Sequence, residues 1–205
     1  MTFFDFHTHT LREDALVSCM PHTFSPLAHR YYSVGIHPWH LLDCDESEWS
    51  LLKRQVLHPQ VLAIGEAGLD RLATAHLEQQ IEAFCWQASL AEEVQKPMVI
   101  HAVRASNELV VLRKKMRAKV PWVIHGFRGN RQVAESYLRA GFYLSYGERY
   151  QVEALRMTPV DRLLLETDEA VVTIAEIYRK VSVDLGIPVE SLGKQIYENL
   201  QGIIF

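Results

Sequence analysis

The sequence predicts an α/β chain, folded as a compact (β/α)8 barrel with a compressed first third. Three observations predict it. Short apolar runs rich in Val, Ile, Leu and aromatic residues alternate with stretches of helical period. Strand–helix alternation implies a parallel sheet. Eight candidate strands are present in 205 residues, at the low end of the usual length for this barrel.

The candidate strands are residues 3–6, 16–19, 32–35, 61–65, 98–100, 120–124, 142–145 and 162–165. Between residues 11 and 30 there is little room for both a helix and a strand, which is the compression. Over 74–95, Leu77, Ile81, Phe84, Cys85, Ala88 and Ala91 recur at spacings of three and four, and Pro97 stops the helix. Over 106–118, Leu109, Leu112 and Met116 repeat the pattern, with Ser106 as cap. Over 130–140, the apolar face is Val133, Tyr137 and Leu138, opened by Asn130 and closed by Gly141. Val171, Ile174, Ala175, Tyr178 and Val181 share a face before Gly186 and Pro188. A last helix, 190–200, leads to Ile203-Ile204-Phe205, which is expected to dock onto the barrel. No repeat, low-complexity tract or linker interrupts the chain, so 1–205 reads as one domain.

Composition excludes several classes. No apolar stretch is long enough to cross a bilayer, and the segment Met1-Thr2-Phe3-Phe4-Asp5-Phe6-His7 lacks the features of a signal peptide, so a cytoplasmic location is expected. Cys19, Cys44 and Cys85 are an odd number without close pairing and read as buried free thiols. A net charge of −4 with no long basic run argues against gripping many phosphates along a duplex. An enzyme engaging one or two phosphates beside a metal remains compatible, and no obligate protein partner is inferred.

Six residues in five segments stand at or just after the ends of apolar runs: His7 and His9, Glu66, His101, His125 and Asp168. Barrel enzymes carry catalytic groups at the C-terminal ends of their strands. His7 and His9 are two apart on a strand and project from one face, where two imidazoles can bind one divalent ion. Asp5 shares their parity and could orient a ring from beneath. Glu66 lies between small residues in Gly65-Glu66-Ala67-Gly68-Leu69-Asp70; glycines there permit a sharp turn and close approach of a ligand, and a carboxylate can bridge two ions. Asp168 ends an apolar run and needs a partner, a metal or an arginine. Taken singly, each has a plain alternative: histidines packed in a core, a loop carboxylate, a helix cap. Taken jointly, four imidazoles and two carboxylates at one sheet edge suit Zn, Mn, Fe or Ni, or Mg in a water-rich site.

With these residues in place, the chain resembles the TatD family of metal-dependent hydrolases. The landmarks run in family order: Asp5-Phe6-His7-Thr8-His9, Ser33-Val34-Gly35-Ile36-His37-Pro38, Gly65-Glu66-Ala67-Gly68-Leu69-Asp70, Lys96-Pro97-Met98-Val99-Ile100-His101, Ile124-His125-Gly126-Phe127 and Leu165-Glu166-Thr167-Asp168. The resemblance implies a TIM-type barrel with two divalent cations (Mg, Mn or Zn). His7, His9, Glu66 and Asp168 would hold one ion, and Glu66, His101 and His125 the other. It implies phosphodiester hydrolysis, commonly of DNA, by a metal-activated water, with Asp168 and Glu66 as the catalytic carboxylates. Single-stranded DNA, DNA ends or a small phosphoester are the expected substrates.

Outside the six, His37 resembles a histidine near the family's metals, or it packs in the core. Trp39 could stack on a base, or pack in the mouth. Asp70 orients a ligand or fixes a turn. Arg104 and Arg128, just beyond the His101 and His125 strand ends, could receive a phosphate in bidentate fashion or form salt bridges at the rim. Departures from the family limit the transfer. Arg71 stands where an aromatic is common, Arg104 comes one place late and without a following Asp, and Glu169-Ala170 replaces a small residue and Pro. The irregular loop usual after Asp168 is shortened, and a helix is expected to start almost at once. The same centre could therefore hydrolyse a different ester, an amide or a small phosphoester. A non-catalytic metal-binding scaffold is the alternative from another class. The Asp-x-His-x-His start also occurs in the polymerase-and-histidinol-phosphatase family, from which the Glu66 and Asp168 motifs point away.

Overall fold

Eight strands form one sheet in sequence order, each parallel to the next. In the computed structural model, which describes residues 3–205, they are β1 (Asp5–Thr8), β2 (Ala15–Cys19), β3 (Tyr31–Val34), β4 (Val61–Asp70), β5 (Met98–Val103), β6 (Trp122–Ile124), β7 (Tyr143–Tyr146) and β8 (Leu163–Leu165). Residues 1 and 2 of the expected single unit lie outside the described residues. Beyond β8 the chain returns to β1 through a parallel bridge between Thr8 and Asp168, where Asp168 N donates to His7 O at 2.9 Å. The sheet thus closes as a TIM-type barrel, and one predicted site residue sits on the closing seam. Among the described residues, no helix is long and apolar enough to cross a membrane.

The helices are α1 (Glu46–Gln55), α2 (Leu77–Val94), α3 (Ser106–Met116), α4 (Arg131–Arg139), α5 (Val152–Met157), α6 (Ile174–Leu185) and α7 (Val189–Ile203). Their ends follow local chemistry. Asn130 accepts from Val133 N to start α4, and Thr173 and Glu176 form a reciprocal capping box on α6. Gln95 ends α2 in the left-handed region, two residues before Pro97.

Several expectations are corrected. Ser106 is the first residue of α3 rather than its cap; Ala105 stands at the cap position and supplies no side-chain bond. Val171 is 99% exposed and outside α6, because the Thr173 capping box starts that helix later. Helices α1 and α5 escape the apolar-stripe reading. Mean hydropathy is low along α1, and α5 is only 6 residues long. The three cysteines are free but only half-buried. Strand β4 runs on through Glu66 to Asp70, well past the expected end at 65.

The compression of the first third is real. Only residues 9–14 join β1 to β2, and a single 3-10 turn, Pro21–Thr23, lies between β2 and β3. An aromatic cluster covers this part of the wall. Phe205 packs edge-on against Phe4 at 5.9 Å and Tyr31 at 5.5 Å, with Ile203 and Ile204 buried beside it. The apolar terminus therefore docks where helices are missing.

Candidate metal centre

The barrel's C-terminal mouth gathers the six predicted residues. His7 lies within β1 and His9 just past it. Glu66 lies in mid-β4, His101 within β5, His125 just past β6 and Asp168 on the seam after β8. Glu66 reaches the centre because the β4 register shifts between Ile64 and Ala67. The two glycines there serve the neighbouring strand rather than a ligand, correcting the sequence reading. Gly65 sits at φ 147°, and a Cβ on it would strike the backbone carbonyl of Val99. A Cβ on Gly68 would strike that of His101.

The two oxygens of Glu66 face different histidines. Oε2 lies 3.4 Å from His7 Nε2 and 3.5 Å from His9 Nε2, and these nitrogens lie 3.8 and 3.6 Å from Asp168 Oδ1. Oε1 lies 2.7 Å from His125 Nε2, 2.9 Å from His101 Nδ1 and 3.2 Å from His37 Nε2. Three overlapping donor groups result: His7, His9 and Glu66; His7, His125 and Asp168; His37, Glu66 and His101. The 3.4–3.8 Å spacings around Oε2 are close to the ligand–ligand edge of a tetrahedron with bonds of about 2.1 Å, roughly 3.4 Å.

Tautomers separate donors from supports. Asp70 Oδ2 lies 3.0 Å from His101 Nε2 and would keep that N–H when a cation displaces the proton from Nδ1, the nitrogen that faces the centre. Glu166 Oε1, 3.3 Å from His125 Nδ1, would do the same there, with Nε2 the nitrogen that faces the centre. His37 is the reverse case. Its Nδ1 accepts from Trp39 N at 3.1 Å, which leaves the proton on Nε2, facing Glu66. His37 therefore holds Glu66 by a hydrogen bond and is not a free donor to a cation.

Burial tests whether a cation fits. Both ring nitrogens of fully buried His7 lack a hydrogen-bond partner. An imidazole so placed costs about 1–3 kcal/mol per unmet polar group, unless something outside the protein meets it. A divalent cation at Nε2 would do so, and the donor set suits one. The local field agrees. Burial pushes the Glu66 carboxyl up, but His125 and hydrogen bonds from His101, His125 and His37 outweigh it and hold it well below the usual range. Burial lowers His125, yet Glu66 and Glu166 draw it well above the ordinary histidine range. The same negative field would attract a dication.

Asp5 departs from its expected role. Its carboxylate accepts from Thr167 N at 2.8 Å and Thr167 Oγ1 at 2.6 Å, clamping the β1–β8 seam; it orients no histidine ring. Burial raises its pKa to about 6 against those two bonds. Trp39 is exposed at the mouth, but its indole N–H donates to Asp70 Oδ2 at 2.6 Å. Arg71 is committed to Glu108 and to Arg104 O. Arg128 Nη2 lies 3.8 Å from Asp168 Oδ2, a loose rim ion pair.

Sequence reasoning missed three buried supports. Glu166 accepts from Gly126 N at 2.6 Å and from the Ser145 hydroxyl, besides facing His125. On α2, Gln87 accepts from Ile36 N at 2.8 Å and donates to Ile36 O at 3.1 Å, fixing the residue before His37. Two turns earlier on the same face, Gln80 accepts from Asp70 N at 2.7 Å and donates to Asp70 O at 2.9 Å. The signal was present: two glutamines seven apart within an apolar helical stripe. Gln87→Leu is expected to cost about 2 kcal/mol in chemical denaturation, because it strands two buried backbone groups. A cost below about 0.5 kcal/mol would show that this clamp is dispensable.

Two clefts of about 420 and 410 Å³ meet at the centre, and His101, His125 and Asp168 line both. The first also holds Trp39, His37, His40, Met20 and Glu169; the second holds Arg104, Arg128, Phe127 and Tyr137.

Residues 25–204 match the family described as TatD related DNase, a span that begins after His7 and His9. The chain is 35% identical over 147 residues to an uncharacterized metal-dependent hydrolase, YabD, of Bacillus subtilis, covering 67% of this chain and 58% of that protein. It is 36% identical over 148 residues to a protein of Erwinia billingiae named 3'-5' ssDNA/RNA exonuclease TatD, covering 66% and 56%. The matches thus span less than two thirds of those relatives. Among solved structures, the Escherichia coli TatD homolog YjjV superposes with a TM-score of 0.82 at 20% identity, covering 94% of this chain and 86% of that one. A TatD family hydrolase from Entamoeba histolytica gives 0.76 at 17% identity, covering 93% and 84%.

Proposed function

The chain belongs to the TatD-related DNase family, and from that premise we propose that it is a divalent-metal-dependent phosphodiesterase acting on DNA, single-stranded or at its ends. One observation carries the reading: the two oxygens of Glu66 are divided between two sets of histidines, as a carboxylate shared by two cations requires. His7, His9, Glu66 Oε2 and Asp168 would hold one ion, and Glu66 Oε1, His101 and His125 the other. Such ions, when bound, supply Lewis acidity to water and to the phosphoryl oxygens.

The chain's own residues do the rest. Asp70 and Glu166 fix the His101 and His125 tautomers, and His37 holds Glu66 in place. Asp168, partly open to the clefts, is the group able to orient an attacking water and accept its proton. Its carboxylate faces both the His7–His9 pair and the open cleft, so the proton moves to an oxygen already at the reacting point. The name of the Erwinia relative supports nucleic acid as the substrate class.

The test is cleavage of single-stranded DNA by chelated protein, with Mg, Mn or Zn restored singly. Metal-dependent cleavage is expected. Stoichiometric metal binding without cleavage would keep the centre and reject DNA, and small diesters would then be assayed.

A further inference from the structure

The two clefts that meet at the centre differ in charge. Among the described residues, the charged side chains that line the first beyond the histidines are Glu66, Asp168 and Glu169, with no Lys or Arg. Those that line the second, besides the centre's own, are Arg104 and Arg128, above a floor that includes Phe127, Val133 and Tyr137. A polyanion crossing the centre therefore meets opposite fields on its two sides. A phosphate next to the scissile one is repelled from the first cleft and attracted into the second.

Arg104 is built for such a role. Among the described residues, its guanidinium has neither an ion-pair nor a hydrogen-bond partner, although the residue is exposed at the cleft edge. Its backbone is fixed from behind: the Arg104 carbonyl accepts from Arg71 Nε at 2.9 Å, and Arg71 is paired with Glu108. That pairing also occupies Glu108, four residues along the chain from Arg104. Arg104 sits at φ 53°, a conformation that glycine or asparagine adopts more readily than arginine. An arginine is thus present where backbone economy favours a smaller residue. Arg128 lines the same cleft from the β6 side, and its guanidinium makes a loose contact with Asp168. A planar guanidinium pairs with phosphate through two parallel hydrogen bonds.

We propose that the Arg104–Arg128 cleft is a subsite for the phosphate adjacent to the scissile one, so that the strand lies with its phosphate-bearing flank there and its other flank against Trp39. The proposal rests on the phosphodiesterase reading above and deepens it. It predicts a substrate preference: a thymidine dinucleotide carrying one extra terminal phosphate, at whichever end enters the second cleft, is cleaved better than the same dinucleotide without it.

The experiment compares three dinucleotides: unphosphorylated, 5'-phosphorylated and 3'-phosphorylated. Each is tested with wild type, Arg104→Gly and Arg104→Lys. In wild type, one phosphorylated form is expected to show a kcat/KM about tenfold to a hundredfold above the unphosphorylated one, mainly through KM. In Arg104→Gly that ratio should fall to about one, and in Arg104→Lys to an intermediate value. Arg104→Gly suits the fold's left-handed backbone at that position, so its unfolding midpoint should not fall, which separates subsite loss from misfolding. A second arm measures binding of the same dinucleotides to chelated protein. Phosphate-dependent binding there should weaken in Arg104→Gly, with a log–log salt slope shallower by about 0.7. Equal treatment of all three dinucleotides by wild type, or a preference that survives Arg104→Gly, overturns the subsite. If wild type cleaves none of them but still binds the extra phosphate through Arg104, the subsite stands and the phosphodiesterase reading falls.

Discussion

Asp168→Asn is expected to lower kcat on a phosphodiester by about a thousandfold, with the fold intact. The backbone explains why the fold survives. Asp168 sits at φ 55°, a region that asparagine tolerates better than almost any other non-glycine residue. The barrel seam is closed by main-chain groups, Asp168 N to His7 O at 2.9 Å and Thr8 Oγ1 to Asp168 O at 3.2 Å, and neither uses the carboxylate. The side chain is partly exposed, and the basic side chains it faces are two imidazoles 3.6–3.8 Å away and Arg128 at 3.8 Å, so little packing is lost. The amide keeps an oxygen that an ion held by His7 and His9 could still use, but it cannot take a proton, so at saturating metal the variant isolates the proton-accepting role. Steady-state kinetics beside thermal unfolding check this. A fall in kcat with KM nearly unchanged, and a midpoint within about 3 °C of wild type, is the expected pair. A variant retaining a tenth or more of wild-type kcat would remove Asp168 from the proton-transfer step, and a collapse of the midpoint would make it structural.

The six converging side chains are legible in the sequence because each ends or interrupts an apolar run, and a parallel barrel sends such positions to one mouth. His125 and Asp168 show this directly, each one to three residues past a strand of buried apolar residues. Legibility fails where a role depends on register or on through-space partners. Asp5 shares strand parity with His7, yet its carboxylate meets Thr167 across the closing seam, a contact 162 residues distant in sequence. Glu66 reads as a loop residue because β4 was cut at Gly65, whereas those glycines let β4 and β5 approach closely and the strand continue. Glu166 was hidden by its neighbour: beside Asp168, a second carboxylate reads as surface charge until β8 is seen to bury it against His125 and Ser145. Gln80 and Gln87 were concealed by the apolar stripe around them, which explains the helix without explaining why amides sit on its buried side.

Removing metal from the protein is expected to lower its thermal midpoint by roughly 8–16 °C, and Glu66→Gln is expected to abolish most of that difference. The first figure follows from linkage. A ligand present at about a thousand times its dissociation constant stabilises by about 4 kcal/mol, and each kcal/mol moves the midpoint of a domain this size by roughly 2–4 °C. The structure indicates why the effect should be large. The centre has a fully buried His7 with both nitrogens lacking a protein partner and gathers Glu66 with five histidine nitrogens within 3.5 Å of its two oxygens, a set of polar groups imperfectly met by one another. Glu66→Gln preserves the shape of the side chain but removes its charge and replaces one oxygen with a donor. The nitrogen of the amide must then face either the His7–His9 pair or the His37–His101–His125 set, so one of the two donor groups loses its acceptor. Midpoints for wild type and variant, each with chelator and with Mn or Zn, give four values. The wild-type pair should differ widely and the variant pair by no more than about 3 °C. Should Glu66→Gln keep the full metal-dependent shift, the ions bind somewhere other than between its two oxygens, and the division of the histidines into two sets would have to be explained by hydrogen bonding alone.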